Sequence, residues 1–127
     1  MRTSLDQIPA LAKKIASDIK GGEIFALIGT LGSGKTTFTQ ALGKQLKIKH
    51  HITSPTFVIM NRYPFKQKTP MHLYHLDLYR IKSFKDVKAL GLTEIWNQKN
   101  NVIIIEWADK IKKHLPKKTK KIYFNQP

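Results

Sequence analysis

Cysteine is absent from this chain of 127 residues, which excludes a disulfide framework, a thiolate zinc site and a cysteine nucleophile and fits a reducing compartment. No apolar run approaches the roughly 20 residues needed to cross a bilayer, and the N-terminus lacks the basic, apolar and small-residue zones of a signal peptide. A cytoplasmic protein with no membrane association is therefore expected. Acidic side chains are scarce, 8 against 23 lysines and arginines, for a formal charge of +15. A field of that size attracts polyanions such as nucleic acid or acidic protein surfaces. Arginine is scarce too: Arg2, Arg62 and Arg80 are the only three. The planar donor preferred for phosphates and base edges is thus largely missing, which weakens the case for a dedicated nucleic-acid groove and leaves a solvated lysine surface as the plainer reading. The most basic stretch is the last, with seven lysines from Lys110 to Lys121.

The length and the 41% hydrophobic content suit one domain spanning residues 1–127. Leu5, Ile8, Leu11, Ala12, Ile15, Ala16 and Ile19 recur at helical spacing, with Pro9 early and Gly21-Gly22 as a stop. Glu23 to Ile28 is a short apolar run without alternation, the pattern of a strand buried on both faces of a parallel sheet. Glycines follow at once, and Phe38, Ala41, Leu42 and Leu46 then mark a helix from Lys35 to Leu46. Downstream, Thr56 to Met60 reads as a strand, Pro64 to Pro70 as an exposed turn, and Met71 to Leu76 as a second strand that can form a hairpin with the first. Ser83 and Asp86 have capping-box spacing before a short helix that Gly91 ends. Val102 to Ile105 is a strongly apolar strand, a lysine-rich helix leads to Pro116, and Ile122 to Phe124 is a candidate edge strand. The expected architecture is α/β: a P-loop NTPase-like three-layer fold with a central, mostly parallel sheet flanked by helices.

The segment Gly29-Thr30-Leu31-Gly32-Ser33-Gly34-Lys35-Thr36 carries the clearest chemistry. Its glycines let the backbone curl so that amides point at phosphate oxygens, and the helix behind it offers an N-terminus that favours an anion. Lys35 is placed to reach the outer phosphates and the Thr36 hydroxyl to ligate magnesium, so ATP and Mg2+ are the expected ligands. Hydrolysis needs a further carboxylate to hold magnesium or orient water. Asp6, Asp18, Asp86, Glu94 and Asp109 fall in expected helices, caps or turns, and Glu23 opens a strand far from the loop. Asp77 and Glu106 remain, each ending an apolar strand where ligands of open α/β sheets sit. Ser54-Pro55-Thr56 stands where related proteins place a switch segment, but spacing alone favours a Pro-containing turn with a Ser cap. His50, His51, His72 and His75 read as polar surface or strand residues, and no zinc is expected.

Taken together, Gly29 to Thr37 (GTLGSGKTT), Ser54-Pro55-Thr56-Phe57, His75-Leu76-Asp77-Leu78-Tyr79-Arg80 and Ile105-Glu106-Trp107 resemble the bacterial TsaE family over nearly the whole chain, from about residue 3 to residue 124. The resemblance implies the small ATPase of the system that forms threonylcarbamoyladenosine in tRNA, weakly active alone and working with TsaD-like and TsaB-like proteins. It implies that Leu31, Gly32, Ser33, Gly34, Lys35, Thr36 and Thr37 hold the nucleotide, that Thr36 and Glu106 bind magnesium, and that Lys35, Asp77 and Glu106 carry the chemistry. Ser54 to Thr56 is then the switch-like segment, Trp107 a neighbour of the nucleotide, and Thr3 to Asp6 a source of adenine contacts. Thr30 replaces the aspartate usual in the family, and the chain ends at Pro127, short of the family's usual C-terminal strand. The basic surface is a candidate contact for an acidic partner or tRNA. Two other functions use the same loop: a small phosphotransferase, disfavoured by the lack of an arginine-rich lid, and a non-catalytic ATP-dependent nucleic-acid or assembly switch, disfavoured by Asp77 and Glu106.

Overall fold

The computed structural model describes residues 1–30, 33–53, 55 and 59–125. One six-stranded sheet organises the chain: β1 (Arg2–Thr3), β2 (Ile24–Ile28), β3 (Met60–Lys66), β4 (Pro70–Asp77), β5 (Asn101–Glu106) and β6 (Lys120–Phe124), in the spatial order β1-β6-β2-β5-β4-β3. Every pairing is parallel except that of β3 with β4. The helices are α1 (Ile8–Asp18), α2 (Lys35–Gln45), α3 (Phe84–Ala89) and α4 (Leu92–Ile95). This is the expected mostly parallel sheet with flanking helices.

The two central strands explain the sequence pattern. All six residues of β5 and the first four of β2 are buried, as covering both faces of a parallel sheet requires. On one face Phe25, Leu27, Val102, Ile104, Leu73 and Ile122 pack with Ile8, Ala12 and Ile15 of α1 and Phe38 and Leu42 of α2. On the other, Ile24, Ala26, Ile103, Ile105 and Leu76 pack with Val87, Leu92, Trp96 and Ile111. Each fully buried Leu, Ile or Phe stabilises the fold by roughly 1.5–3 kcal/mol relative to exposure, so the central strands are firmly fixed on both sides. Residues at their C-terminal ends inherit that rigidity.

Several local expectations are corrected. Of the strand expected at Thr56 to Met60, Met60 opens β3, which runs on to Lys66 into the segment expected as a turn; Thr56, Phe57 and Val58 lie outside the described residues. Pro64 misled that reading. It sits on the sheet's edge strand, where a missing N–H interrupts no second ladder, and Tyr63 and Phe65 turn inward while Arg62, Pro64 and Lys66 face out. A hairpin does form, but between Met60–Lys66 and Pro70–Asp77, with Pro64 opposite His72 inside the ladder rather than in the turn. The strand at Ile122 to Phe124 is not an edge: Arg2–Thr3 pairs with its outer side, an addition of two residues too short to read from sequence. Ser83 precedes α3, but its hydroxyl makes no capping bond; its carbonyl accepts from the Asp86 N–H instead. The lysine-rich helix is a 3-10 segment, Ala108–His114, interrupted at Ile111.

Candidate functional site

Strand β2 delivers the chain to Gly29 and Thr30, and α2 begins at Lys35. Between them the Ser33 N–H donates to the Thr30 carbonyl at 3.2 Å, closing a turn. Gly34 caps α2 with φ +105°, in the left-handed region, and a Cβ there would lie 2.8 Å from side-chain carbons of both Leu5 and Ile8. Gly29 is closely packed for a different reason: a Cβ there would meet the Ser33 hydroxyl at 2.7 Å and the Phe124 Cβ at 3.0 Å. Gly29 and Gly34 are thus both closely packed within the chain. Leu31 and Gly32, expected phosphate contacts, lie outside the described residues, as do Ser54 and Thr56 of the expected switch segment.

Lys35 is 5% exposed. Its Nζ donates to the Gly29 carbonyl at 2.7 Å and lies 3.9 Å from the centroid of the Trp107 ring. Burial pushes its pKa below the ordinary lysine value, while the negative charges of Glu106, Asp77 and Asp109 pull it back up. Trp107 owes its position to a left-handed backbone, φ +60°, directly after β5, and to the Tyr79 ring 5.1 Å away.

Glu106 and Asp77 end adjacent strands in register with each other, and Glu106 is also in register with Leu27 of β2. Both carboxylates therefore emerge on the α1–α2 face, at the end of the sheet where α2 starts. They are buried, 4% and 3% exposed. The Thr36 hydroxyl lies 3.5 Å from Glu106 Oε2. The backbone around the pair is tied down: Leu78 N–H donates to the Glu106 carbonyl at 3.1 Å, Asp77 N–H donates to the Ile59 carbonyl at 2.8 Å, and Asp77 Oδ1 accepts from the Tyr79 N–H at 2.9 Å. An ammonium, a hydroxyl and two carboxylates thus converge where a helix begins. Ser33 is buried and Thr37 exposed on either side of this cluster.

One further side chain joins the site. His75, read as a polar strand residue, is completely buried and its Nε2 hydrogen-bonds Glu106 Oε2. His75 and Asp77 are two apart on one strand and so share a face, but the register that brings this face to Glu106 is not a local property of the sequence. Asp109 lies in the 3-10 segment Ala108–His114, in keeping with the helix or turn expected for it, and its charge acts on Lys35 from there.

The donor set suits a hard cation, because a hydroxyl and a carboxylate offer the oxygen ligands that magnesium takes alongside water and phosphate. A buried strand, a glycine turn and a helix opening on Lys-Thr, with an acid at the end of the neighbouring strand, define a P-loop protein. Comparison with known proteins narrows the class. Residues 2–127 match the family model described as "Threonylcarbamoyl adenosine biosynthesis protein TsaE", and the chain belongs to the TsaE family. Proteins named "tRNA threonylcarbamoyladenosine biosynthesis protein TsaE" are similar to it in Aquifex aeolicus (38% identity over 80% of this chain and 70% of the relative), Bacillus subtilis (37%, 87% and 66%) and Rickettsia typhi (42%, 80% and 67%). The crystal structure of Bacillus subtilis YdiB superposes with a TM-score of 0.62 at 34% identity, covering 90% of this chain and 66% of that one. The chain spans about two thirds of the length of these relatives. Among the described residues, no helix is long and apolar enough to cross a membrane.

Proposed function

We propose that this chain binds and hydrolyses ATP as a subunit acting with TsaD-like and TsaB-like proteins in the formation of threonylcarbamoyladenosine in tRNA. The observation that carries the reading is the convergence of Lys35, Thr36, Asp77 and Glu106 at the C-terminal ends of β2, β4 and β5, in a chain of the TsaE family. In this reading Gly29 to Thr37 hold the phosphates through backbone amides and the helix N-terminus. Lys35 leaves the Gly29 carbonyl to meet the outer phosphates. Thr36 and Glu106 hold magnesium, which when bound neutralises phosphate charge and orders the phosphate oxygens. Asp77 stands beside Glu106 as the second acidic group, positioned toward the terminal phosphate and the attacking water. Leu5, packed against Gly34, supports the N-terminal segment as a neighbour of the nucleotide. The charge of +15 supports approach to an acidic partner surface or to tRNA.

Reconstitution tests the reading. ATP turnover is measured for the chain alone and with purified TsaD, TsaB and tRNA. Turnover that is weak alone, rises with the partners and is lost in Lys35→Ala supports it. Stimulation by a small-molecule acceptor in place of the partners assigns a phosphotransferase instead.

A further inference from the structure

Glu106 stands out in this chain for what grips it. A carboxylate on the last residue of a strand is ordinarily free to sample several rotamers, and a buried one is costly unless its oxygens are hydrogen-bonded. Here one oxygen, Oε2, receives both neighbouring groups: the His75 ring through Nε2 and, at 3.5 Å, the Thr36 hydroxyl. His75 is itself immobile. It is completely buried on β4, its main chain is paired with β5 in register with Ile104, and it lies two residues from Asp77 on the face that carries both carboxylates. Among the described residues its other ring nitrogen, Nδ1, has no hydrogen-bond partner. Among the described residues, the polar contact that accounts for a histidine in this apolar layer, between Leu73 and Asp77 and opposite Ile104, is the one to Glu106.

We infer that His75 is a positioning residue: its Nε2–H fixes the Glu106 carboxylate in the orientation in which that side chain and Thr36 receive magnesium. The inference rests on the proposed role of Glu106. A structural histidine would stabilise the fold and leave metal affinity alone; a positioning histidine sets the affinity of the ligand it holds. Groups that orient a metal ligand from behind typically alter metal affinity by about 10–100-fold when removed. His75 reaches neither phosphate nor water in this account, and it acts only through Glu106.

The test is calorimetric ADP binding, first in EDTA and then over a magnesium titration, for wild type, His75→Leu, His75→Gln, Glu106→Gln and the His75→Leu/Glu106→Gln double variant. His75→Leu is expected to bind ADP in EDTA within about twofold of wild type but to need about tenfold more magnesium for the metal-dependent gain. His75→Gln, whose amide can donate to Oε2, is expected to recover most of that loss, and the double variant to match Glu106→Gln alone. Should the leucine variant not fold, His75→Asn replaces it, since its shorter amide keeps a polar group in the slot without reaching Oε2. An unchanged magnesium requirement in the folded His75 variant, with Glu106→Gln shifted, overturns the inference and leaves the site reading intact. An unchanged requirement in Glu106→Gln overturns the site reading and the inference with it.

Discussion

The ammonium of Lys35 rests against the face of Trp107, 3.9 Å from the ring centroid, while donating to the Gly29 carbonyl at 2.7 Å. The lysine is thus folded back on its own loop. Under the proposed function both contacts give way to a phosphate: a carbonyl oxygen offers partial charge and the indole offers its negative face, a cation–π contact worth about 2 kcal/mol when desolvated. A phosphate oxygen competes with both through a stronger, charge-assisted bond. Nucleotide binding should draw Lys35 off the indole.

The expected consequence is optical. In a Trp96→Phe background, where Trp107 is the remaining tryptophan, ATP should change the emission of Trp107 with a saturating dependence whose midpoint equals the calorimetric dissociation constant. The same titration in a Lys35→Met background should give no such change. An ATP-independent Trp107 signal in a protein that binds ATP would mean that the lysine stays on the ring.

The same burial predicts a pH dependence of the nucleotide-free, magnesium-free protein. Desolvation holds the folded-state pKa of Lys35 below the ordinary value of 10.5, with Glu106, Asp77 and Asp109 opposing the shift. Between those two values the unfolded chain binds more protons than the folded one, so stability attributable to this residue rises with pH through that window. Below the folded pKa the cost of burying the charge is fully present. Melting temperatures of wild type and Lys35→Met, measured from neutral pH toward 10.5, should therefore show the wild type gaining on the variant. A difference that is flat or falls with pH would contradict the burial argument.

How far the site was legible follows from where its information sits in the chain. The strand ending at Ile28, the glycines after it and the helix from Lys35 could be read directly because their signals are contiguous and local, while Leu31 and Gly32 lie outside the described residues. Glu106 was readable because four buried apolar residues, Val102 to Ile105, precede it on a parallel strand whose end must open toward the ligand. His75 was not, because a lone histidine on a strand is ambiguous until its register with β5 is known, and register is a long-range property. Pro64 shows the converse: the alternation of Tyr63 and Phe65 with exposed neighbours is a strand pattern, and the proline that suggests a turn is compatible with it because the strand lies at the sheet's edge. The interior position of β6 depended on Arg2–Thr3, two residues whose pairing has no local signature.

The measurement that tests the central claim most directly is magnesium-dependent nucleotide binding by calorimetry, with ADP and ATP, in Lys35→Ala, Glu106→Ala and Asp77→Ala. Lys35→Ala should remain folded and lose roughly 10–100-fold in ATP affinity, the range of one or two charge-assisted bonds. Glu106→Ala should lose the gain that magnesium confers on ADP binding, whereas Asp77→Ala should keep ADP affinity and lose partner-stimulated turnover, since its contribution belongs to the arrangement of the terminal phosphate and water. Unchanged ATP affinity in a folded Lys35→Ala protein, or magnesium-dependent ADP binding that survives in Glu106→Ala and vanishes in Asp77→Ala, would contradict the account.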